Sequence, residues 1–360
     1  MSARTLRADA GDIDRAGTSG MSQVEATPQR DAIVPPTTVA DTRSRCFAPR
    51  PGAAPMLGTI RGLGAALPDG VLANPELERR FALPPDWIVE RCGINERRTG
   101  GDVASLASEA AARALGDHAA DDVDLLILAT STSDVRLPAT AADVARRVGL
   151  GCATFDLNAA CTGFVYALLS AYGFLAIGAS NVLVVGADVM TSIVDPADCS
   201  TAILFGDGAG AVLVSNDGRA DGSALLGWHA STEPAAYDLL CARHDGPIVM
   251  DGRAVFRFAV RTMVESASRA MTAAGVTADE IALFVPHQAN TRIIAAGCER
   301  LGIDAHRTAT TLATTGNTSA GSVPIALCAA LDGRDLTPGD LVLLTGFGAG
   351  MTAATAVIRW

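Results

Sequence analysis

The sequence predicts an α/β protein built from two copies of one unit. Short apolar runs alternate with helical periodicity from residue 56 to the end. A helix, an acidic turn and a buried strand occur together twice. Ser108-Glu-Ala-Ala-Ala-Arg-Ala-Leu115 leads to Ala120-Asp-Asp-Val-Asp-Leu-Leu-Ile-Leu128, and Ser266-Ala-Ser-Arg-Ala-Met271 leads to Ala278-Asp-Glu-Ile-Ala-Leu-Phe-Val285. Each strand is followed by a helix with a similar ending, Arg146-Arg-Val-Gly-Leu150 and Glu299-Arg-Leu-Gly-Ile303. A chain of 360 residues, 49% hydrophobic, is long enough for both copies to bury a large core about a pseudo-twofold axis.

In chain order, residues 1–55 are rich in Ala, Thr, Asp, Arg and Pro and lack either periodicity. They read as a disordered N-terminal extension, with Met21 and Met56 as alternative starts. An N-terminal half follows over 56–220 and a C-terminal half over 221–360. Strands are expected at 125–129, 182–186, 202–205, 209–214, 281–285, 341–345 and 355–358. Helices are expected at 106–115, 140–148, 163–177, 255–274, 291–301 and 322–331. The stretch 157–187 carries no charge and is longer than the roughly 20 residues that span a bilayer. Asn158, Thr162, Ser170, Gly173, Gly178, Ser180 and Asn181 interrupt it, so it reads as a buried helix, a turn and a buried strand. Aromatics are only 4%, leaving small aliphatic side chains to fill the core.

Composition excludes several chemistries. There is no lysine, and all 28 basic residues are arginine. A Schiff base and a P-loop phosphate lysine are therefore ruled out. The net charge is −11: the first 55 residues carry +1 and the remainder −12. An acidic body argues against nucleic acid and anionic membranes as partners. The eight cysteines, at 46, 92, 152, 161, 199, 241, 298 and 328, form no CxxC pair, and no secretory signal opens the chain. They read as reduced cytoplasmic thiols, with no metal site.

Three motifs place reactive side chains at element ends. In Asp156-Leu-Asn-Ala-Ala-Cys161-Thr-Gly-Phe164, a strand leads to Cys161 and an uncharged helix begins just beyond it. The helix N-terminus favours thiolate, although a small buried core cysteine fits the same letters. Val285-Pro-His287-Gln-Ala-Asn290 closes a repeat strand, where α/β sheets present functional groups. Thr314-Thr-Gly316-Asn317-Thr-Ser319-Ala-Gly-Ser322 precedes a helix and also fits a simple capped start. A Cys, a His and an Asn so placed in two copies of a repeat suit thioester chemistry. Leu344-Thr-Gly346-Phe-Gly348-Ala349-Gly350 is a small-residue loop whose backbone N–H groups can approach a carbonyl oxygen. Phe205-Gly-Asp-Gly-Ala-Gly210 lacks the rest of a dinucleotide fingerprint and reads as a tight turn.

With these motifs, and with Asp86-Trp87-Ile-Val-Glu-Arg91-Cys-Gly-Ile-Asn-Glu-Arg97, residues 56–360 resemble the β-ketoacyl-acyl carrier protein synthase III family of the thiolase fold. The resemblance implies a layered αβαβα arrangement and a homodimer. It implies that Cys161 takes an acyl primer from a thioester, and that His287 and Asn317 hold a malonyl thioester through decarboxylation and condensation. It further implies an oxyanion hole from the N–H groups of Cys161 and Ala349, and an orienting role for Asn290. Coenzyme A contacts would fall to Trp87 and Arg91, the acyl pocket to Leu137, and docking of an acidic acyl carrier protein to Arg257, Arg292 and Arg300. Acyl-coenzyme A or acyl-carrier protein and malonyl-carrier protein are then substrates, with no resident cofactor. The alternative is a relative that moves the acyl group from Cys161 to a hydroxyl, amine or carrier thiol without condensation.

Three positions depart from the family pattern. Cys199 stands where an arginine stacks on the adenine, and a thiol cannot stack as guanidinium does. Leu137 replaces a phenylalanine that crosses the dimer in many relatives. The stretch between Gly222 and Gly252 is short, which implies a remodelled entrance.

Overall fold

The computed structural model describes residues 46–50, 52–216 and 223–360. The extension expected over 1–55 therefore falls mostly outside the described residues, as does the 220/221 boundary. Phe47 lies within them. It forms an antiparallel bridge with Ala230, and its ring lies 6.1 Å from that of Trp228. Pairing with the body thus begins ahead of Met56.

The duplication is visible in two five-stranded sheets of matching order. In the first, Thr59–Ala66 pairs antiparallel with Asp207–Ser215, which pairs antiparallel with Asn181–Val189. That strand runs parallel to Leu125–Ala129, and Ala153–Leu157 completes the edge. In the second, Ala224–Thr232, Thr352–Arg359, Leu341–Gly348 and Ile281–Pro286 repeat the same antiparallel, antiparallel, parallel sequence. The short strand Met56–Leu57 adds to the edge of this second sheet. In each copy the acidic turn is a short 3-10 helix, Ala120–Asp122 or Ala278–Glu280, just before the parallel strand.

Helices Gly163–Ala176 and Ser322–Leu331 share one apolar core with strands of both sheets. They are apolar nearly all round because sheet faces meet them on both sides. The opposite face of the first sheet is covered by Val103–Leu115 and Thr140–Val148, and that of the second by Gly252–Ala274 and Thr291–Leu301. The result is the αβαβα layering expected of the sequence. No helix among the described residues is long and apolar enough to cross a membrane.

Glycines allow the central layer to close. A Cβ on Gly186 would lie 2.3 Å from the Ala320 carbonyl oxygen, and one on Gly210 would lie 2.7 Å from Pro324 Cβ. The run Phe205–Gly210 is therefore not a tight turn as expected. It opens the strand Asp207–Ser215, with glycines where the central helix presses closest. The expected strand at 202–205 is also absent. Cys199–Ala202 is a short helix capped by the Asp198 carboxylate, which accepts from Ser200 N–H, and only Phe205 bridges to Asn317.

Candidate active site

Cys161 sits in a sharp strand-to-helix connection. Asp156, next to last in its strand, accepts the N–H groups of Thr140 and Ala141 at 2.7 and 2.8 Å, fixing the strand against the neighbouring helix. Asn158 Oδ1 accepts the Ala160 N–H at 3.1 Å and supports Ala160 at φ 48°, a conformation unusual for a residue with a Cβ. Cys161 follows directly, buried, ahead of the helix that starts at Gly163.

The second sheet brings its loops to the same point. His287 follows the strand Ile281–Pro286, and its backbone N–H donates to the Thr345 carbonyl at 2.8 Å. Asn317 is held by both backbone groups: its N–H donates to Leu204 and its carbonyl accepts from Gly206. Its side-chain oxygen accepts the Ser319 N–H at 2.9 Å. With the oxygen so engaged, the amide NH2 is the end left to donate into the site. Cys161, His287 and Asn317 line one cavity of about 500 Å³, together with Phe205, Phe347 and Gly348.

Cys161 also borders a second cavity of about 370 Å³ on its other side. This one is lined by apolar side chains, among them Met190, Ile193, Leu240 and Ile248, and by Ser131, Asn158, Ser319 and Thr352, with Ala349 also in its wall. The short segment after Ala224 builds much of this wall, through the hairpin of Leu240–Ala242 and Ile248–Met250. The nucleophile candidate thus borders both cavities.

Electrostatics at the site are set by burial. Burial pushes the Cys161 thiol up to about 11. A hydrogen bond from Ser319 works against this, and the nearby Asp188 adds to it. The helix end favours thiolate, but burial acts in the opposite direction and is the larger effect, as the buried-cysteine reading of the same letters allows. Burial holds His287 down to about 3, so its imidazole is neutral. Its Nδ1 lies 2.6 Å from Ser322 Oγ, and the Phe347 ring meets it edge-on at 5.1 Å.

Residues that sequence reasoning did not single out hold this geometry. Arg97 is fully buried. It donates to the Ile203 carbonyl through Nε and Nη2, and to Asn74 Oδ1 at 2.6 Å through Nη1. Burial lowers its pKa to about 10. A Cβ on Gly316 would lie 2.8 Å from Arg97 Cγ, so this side chain backs the Asn317 loop. Asp188 accepts from Ser131 N–H at 2.7 Å, Thr132 Oγ1 at 2.9 Å and Ala320 N–H at 3.0 Å, tying loops of both halves together.

The remaining candidates divide. Arg257 and Arg292 line the wider cavity with Arg91, as does Arg253, which was not anticipated. Arg300 lies in the last turn of Thr291–Leu301 and is not part of that lining. Asn290 caps this helix by accepting Arg292 N–H at 2.8 Å and donates to the Arg91 carbonyl at 3.2 Å. Its hydrogen bonds fix the cavity mouth and do not reach His287 or Asn317. Trp87 and Cys199 pack on one apolar cluster, and the Arg91 guanidinium covers the Trp87 ring at 4.8 Å. Leu137 is 88% exposed and lines none of the cavities described here. All eight cysteines are free.

Comparison with known proteins now bears on this geometry. Two family models match: one described as 3-oxoacyl-[acyl-carrier-protein (ACP)] synthase III over residues 155–234, and its C-terminal counterpart over 271–360. A beta-ketoacyl-[acyl-carrier-protein] synthase III of Pseudomonas aeruginosa is 41% identical over 321 residues, covering 85% of this chain and 97% of its own. The chain belongs to the 3-oxoacyl-[acyl-carrier-protein] synthase III family. A solved synthase III from Aquifex aeolicus is 41% identical with a TM-score of 0.81, covering 84% of this chain and all of its own. The priming β-ketosynthase of the R1128 polyketide pathway is 32% identical with a TM-score of 0.79, over 86% and 98% of the two chains. Synthase III membership makes this an enzyme of acyl-group transfer with the thiolase fold.

The C-terminal end of the strand Leu341–Gly348 presses against Cys161. A Cβ on Gly348 would lie 2.7 Å from Cys161 Cβ and 3.2 Å from its Sγ. Gly348→Ala should therefore displace Cys161. Its acylation by a small thioester should fall by about 10²-fold, the cost of an ångström-scale misplacement, and the melting temperature should drop by a few degrees, roughly, as the overpacked contact relaxes. Unchanged acylation kinetics would show that the contact is not tight in solution.

Proposed function

We propose that this enzyme carries out a priming condensation. It loads an acyl group on Cys161 and joins it to a malonyl thioester with loss of carbon dioxide, in fatty-acid or polyketide starter synthesis. The observation that carries this reading is the convergence of Cys161 with two neutral groups, the His287 imidazole and the Asn317 amide, on one cavity wall. Two neutral donors suit an oxygen that becomes negative only as the reaction proceeds.

In the first step Cys161 Sγ attacks the primer thioester carbonyl, and the carrier thiol leaves with the cysteine proton. Backbone N–H groups of Cys161 and Ala349 would hold the tetrahedral oxyanion. In the second, the malonyl carboxylate leaves as carbon dioxide. The electron pair becomes an enolate whose oxygen accepts from His287 Nε2–H and Asn317 Nδ2–H. The enolate carbon then attacks the acyl-Cys161 carbonyl, the carbon–sulfur bond breaks with the electron pair going to sulfur, and the Cys161 thiolate takes a proton from water to return to the thiol. The second cavity beside Cys161, with Met190, Ile193, Leu240 and Ile248 in its wall, would take the acyl chain, and no resident cofactor enters the scheme.

The wider cavity would admit the phosphopantetheine arm of an acyl carrier protein. Arg257 and Arg292 at its mouth would meet the acidic carrier, with Arg300 further along the same helix. Stacking of Arg91 on Trp87, beside Cys199, disfavours coenzyme A as the better donor. Exposed Leu137, with Val135 beside it, fits a loop covered by a second copy in a homodimer. Reversing Arg257 and Arg292 to Glu should weaken the carrier-dependent step by tenfold or more, roughly, and flatten its salt dependence. Arg300→Glu should do less, and acylation by a small thioester should be unaffected. Equal loss in both assays would reassign these arginines to stability.

A further inference from the structure

Behind His287 lies a buried hydroxyl that the scheme above does not use. Ser322 begins the helix Ser322–Leu331 and is 1% exposed, as is His287. A serine there would ordinarily turn its hydroxyl to a backbone group of its own first turn. Among the described residues its Oγ instead has a single hydrogen-bond partner, His287 Nδ1, at 2.6 Å.

Hydrogen accounting decides the direction. A neutral imidazole has one N–H and one bare nitrogen, and a hydroxyl has one hydrogen to give. If Nδ1 carried the hydrogen, it would donate to Ser322 Oγ, and the serine hydrogen would be buried with no acceptor. A buried donor left without a partner is destabilising. If the hydroxyl donates to a bare Nδ1, both groups are satisfied and the imidazole hydrogen sits on Nε2. Phe347, edge-on to the ring, limits a flip that would exchange nitrogen for carbon.

We propose that Ser322 is a positioning residue that fixes His287 in the Nε2–H tautomer and so makes it a hydrogen-bond donor to the developing enolate. Resting on the condensing chemistry proposed above, this assigns the serine an effect on one half-reaction. Acylation of Cys161, supported by backbone N–H groups, does not need that tautomer.

Two measurements test the assignment. In protein labelled with ¹⁵N-histidine, the His287 signals, identified by their loss in His287→Asn among the five histidines, should show an unprotonated Nδ1 and a protonated Nε2. A protonated Nδ1 would overturn the proposal without any variant having to fold. In Ser322→Ala the two tautomers should mix. Carbon dioxide release from a malonyl thioester should fall roughly tenfold to a hundredfold, less than the roughly 10²–10³ that losing a donor outright costs. Cys161 acylation should stay within about twofold of wild type, and Ser322→Thr, which keeps the hydroxyl, should recover most of the release. Equal loss of both half-reactions, or no loss in Ser322→Ala, would contradict the role. Failure of the wild type to release carbon dioxide would fall on the condensing chemistry itself, while the tautomer would still be decided by the spectrum.

Discussion

Asn317→Asp should lower malonyl decarboxylation by roughly 10²–10³, the usual cost of removing one donor to a developing oxyanion. The substitution keeps the size of the side chain and an oxygen for the Ser319 N–H, so the loop has reason to stay in place. It exchanges the NH2 that faces the reaction for a second oxygen. An ionised carboxylate there cannot donate and repels the charge forming on the enolate. Acylation of Cys161 passes through a different oxyanion and should be nearly spared. Parallel assays of carbon dioxide release and of the acyl mass adduct separate the two steps. A variant that decarboxylates at the wild-type rate would remove Asn317 from the chemistry.

Cys161→Ala should abolish the acyl adduct entirely on incubation with a panel of acyl thioesters. In the wild type the mass gained identifies the primer. The closest competitors are Cys92, whose thiol is buried and bonded to the Ile88 carbonyl, and Cys199, packed beside Trp87. Burial raises both thiols, and neither sits between the two cavities. The melting temperature should barely change, because one sulfur is lost from a site with open space on two sides. An adduct that persists in Cys161→Ala would move the nucleophile elsewhere.

Much of this was legible in the letters. Helices 140–148, 291–301 and 322–331 have the expected bounds because a glycine or an apolar run marks each edge. The Cys161, His287 and Asn317 motifs are local, each a strand or helix end with its own turn chemistry, and their convergence follows from the duplication. What escaped depends on contacts remote in sequence. Arg97 closes the Asp86–Arg97 motif, but its place behind the Asn317 loop appears only when Ile203 and Gly316 are folded around it. Asp188 ends an apolar strand, and only the fold brings Ser131 and Ala320 to it. Ala224–Thr232 was missed because its mixed letters give no clear period, although it pairs along its length with Thr352–Arg359. Residues 202–205 look like a strand because they are apolar, yet they fill the clusters beside the cavity mouth. The balance at Cys161 is not legible in the letters, because a helix start is visible in sequence and the degree of burial is not.

The central claim is that this site condenses and does not merely transfer. The decisive measurement supplies wild-type enzyme, acylated on Cys161, with malonyl-acyl carrier protein, and follows carbon dioxide and the carrier-bound product by mass. Release of carbon dioxide matched by a β-ketoacyl product two carbons longer than the primer is the predicted result. An enzyme that acylates Cys161 yet releases no carbon dioxide, and passes the acyl group unchanged to a hydroxyl, amine or thiol acceptor, would contradict it.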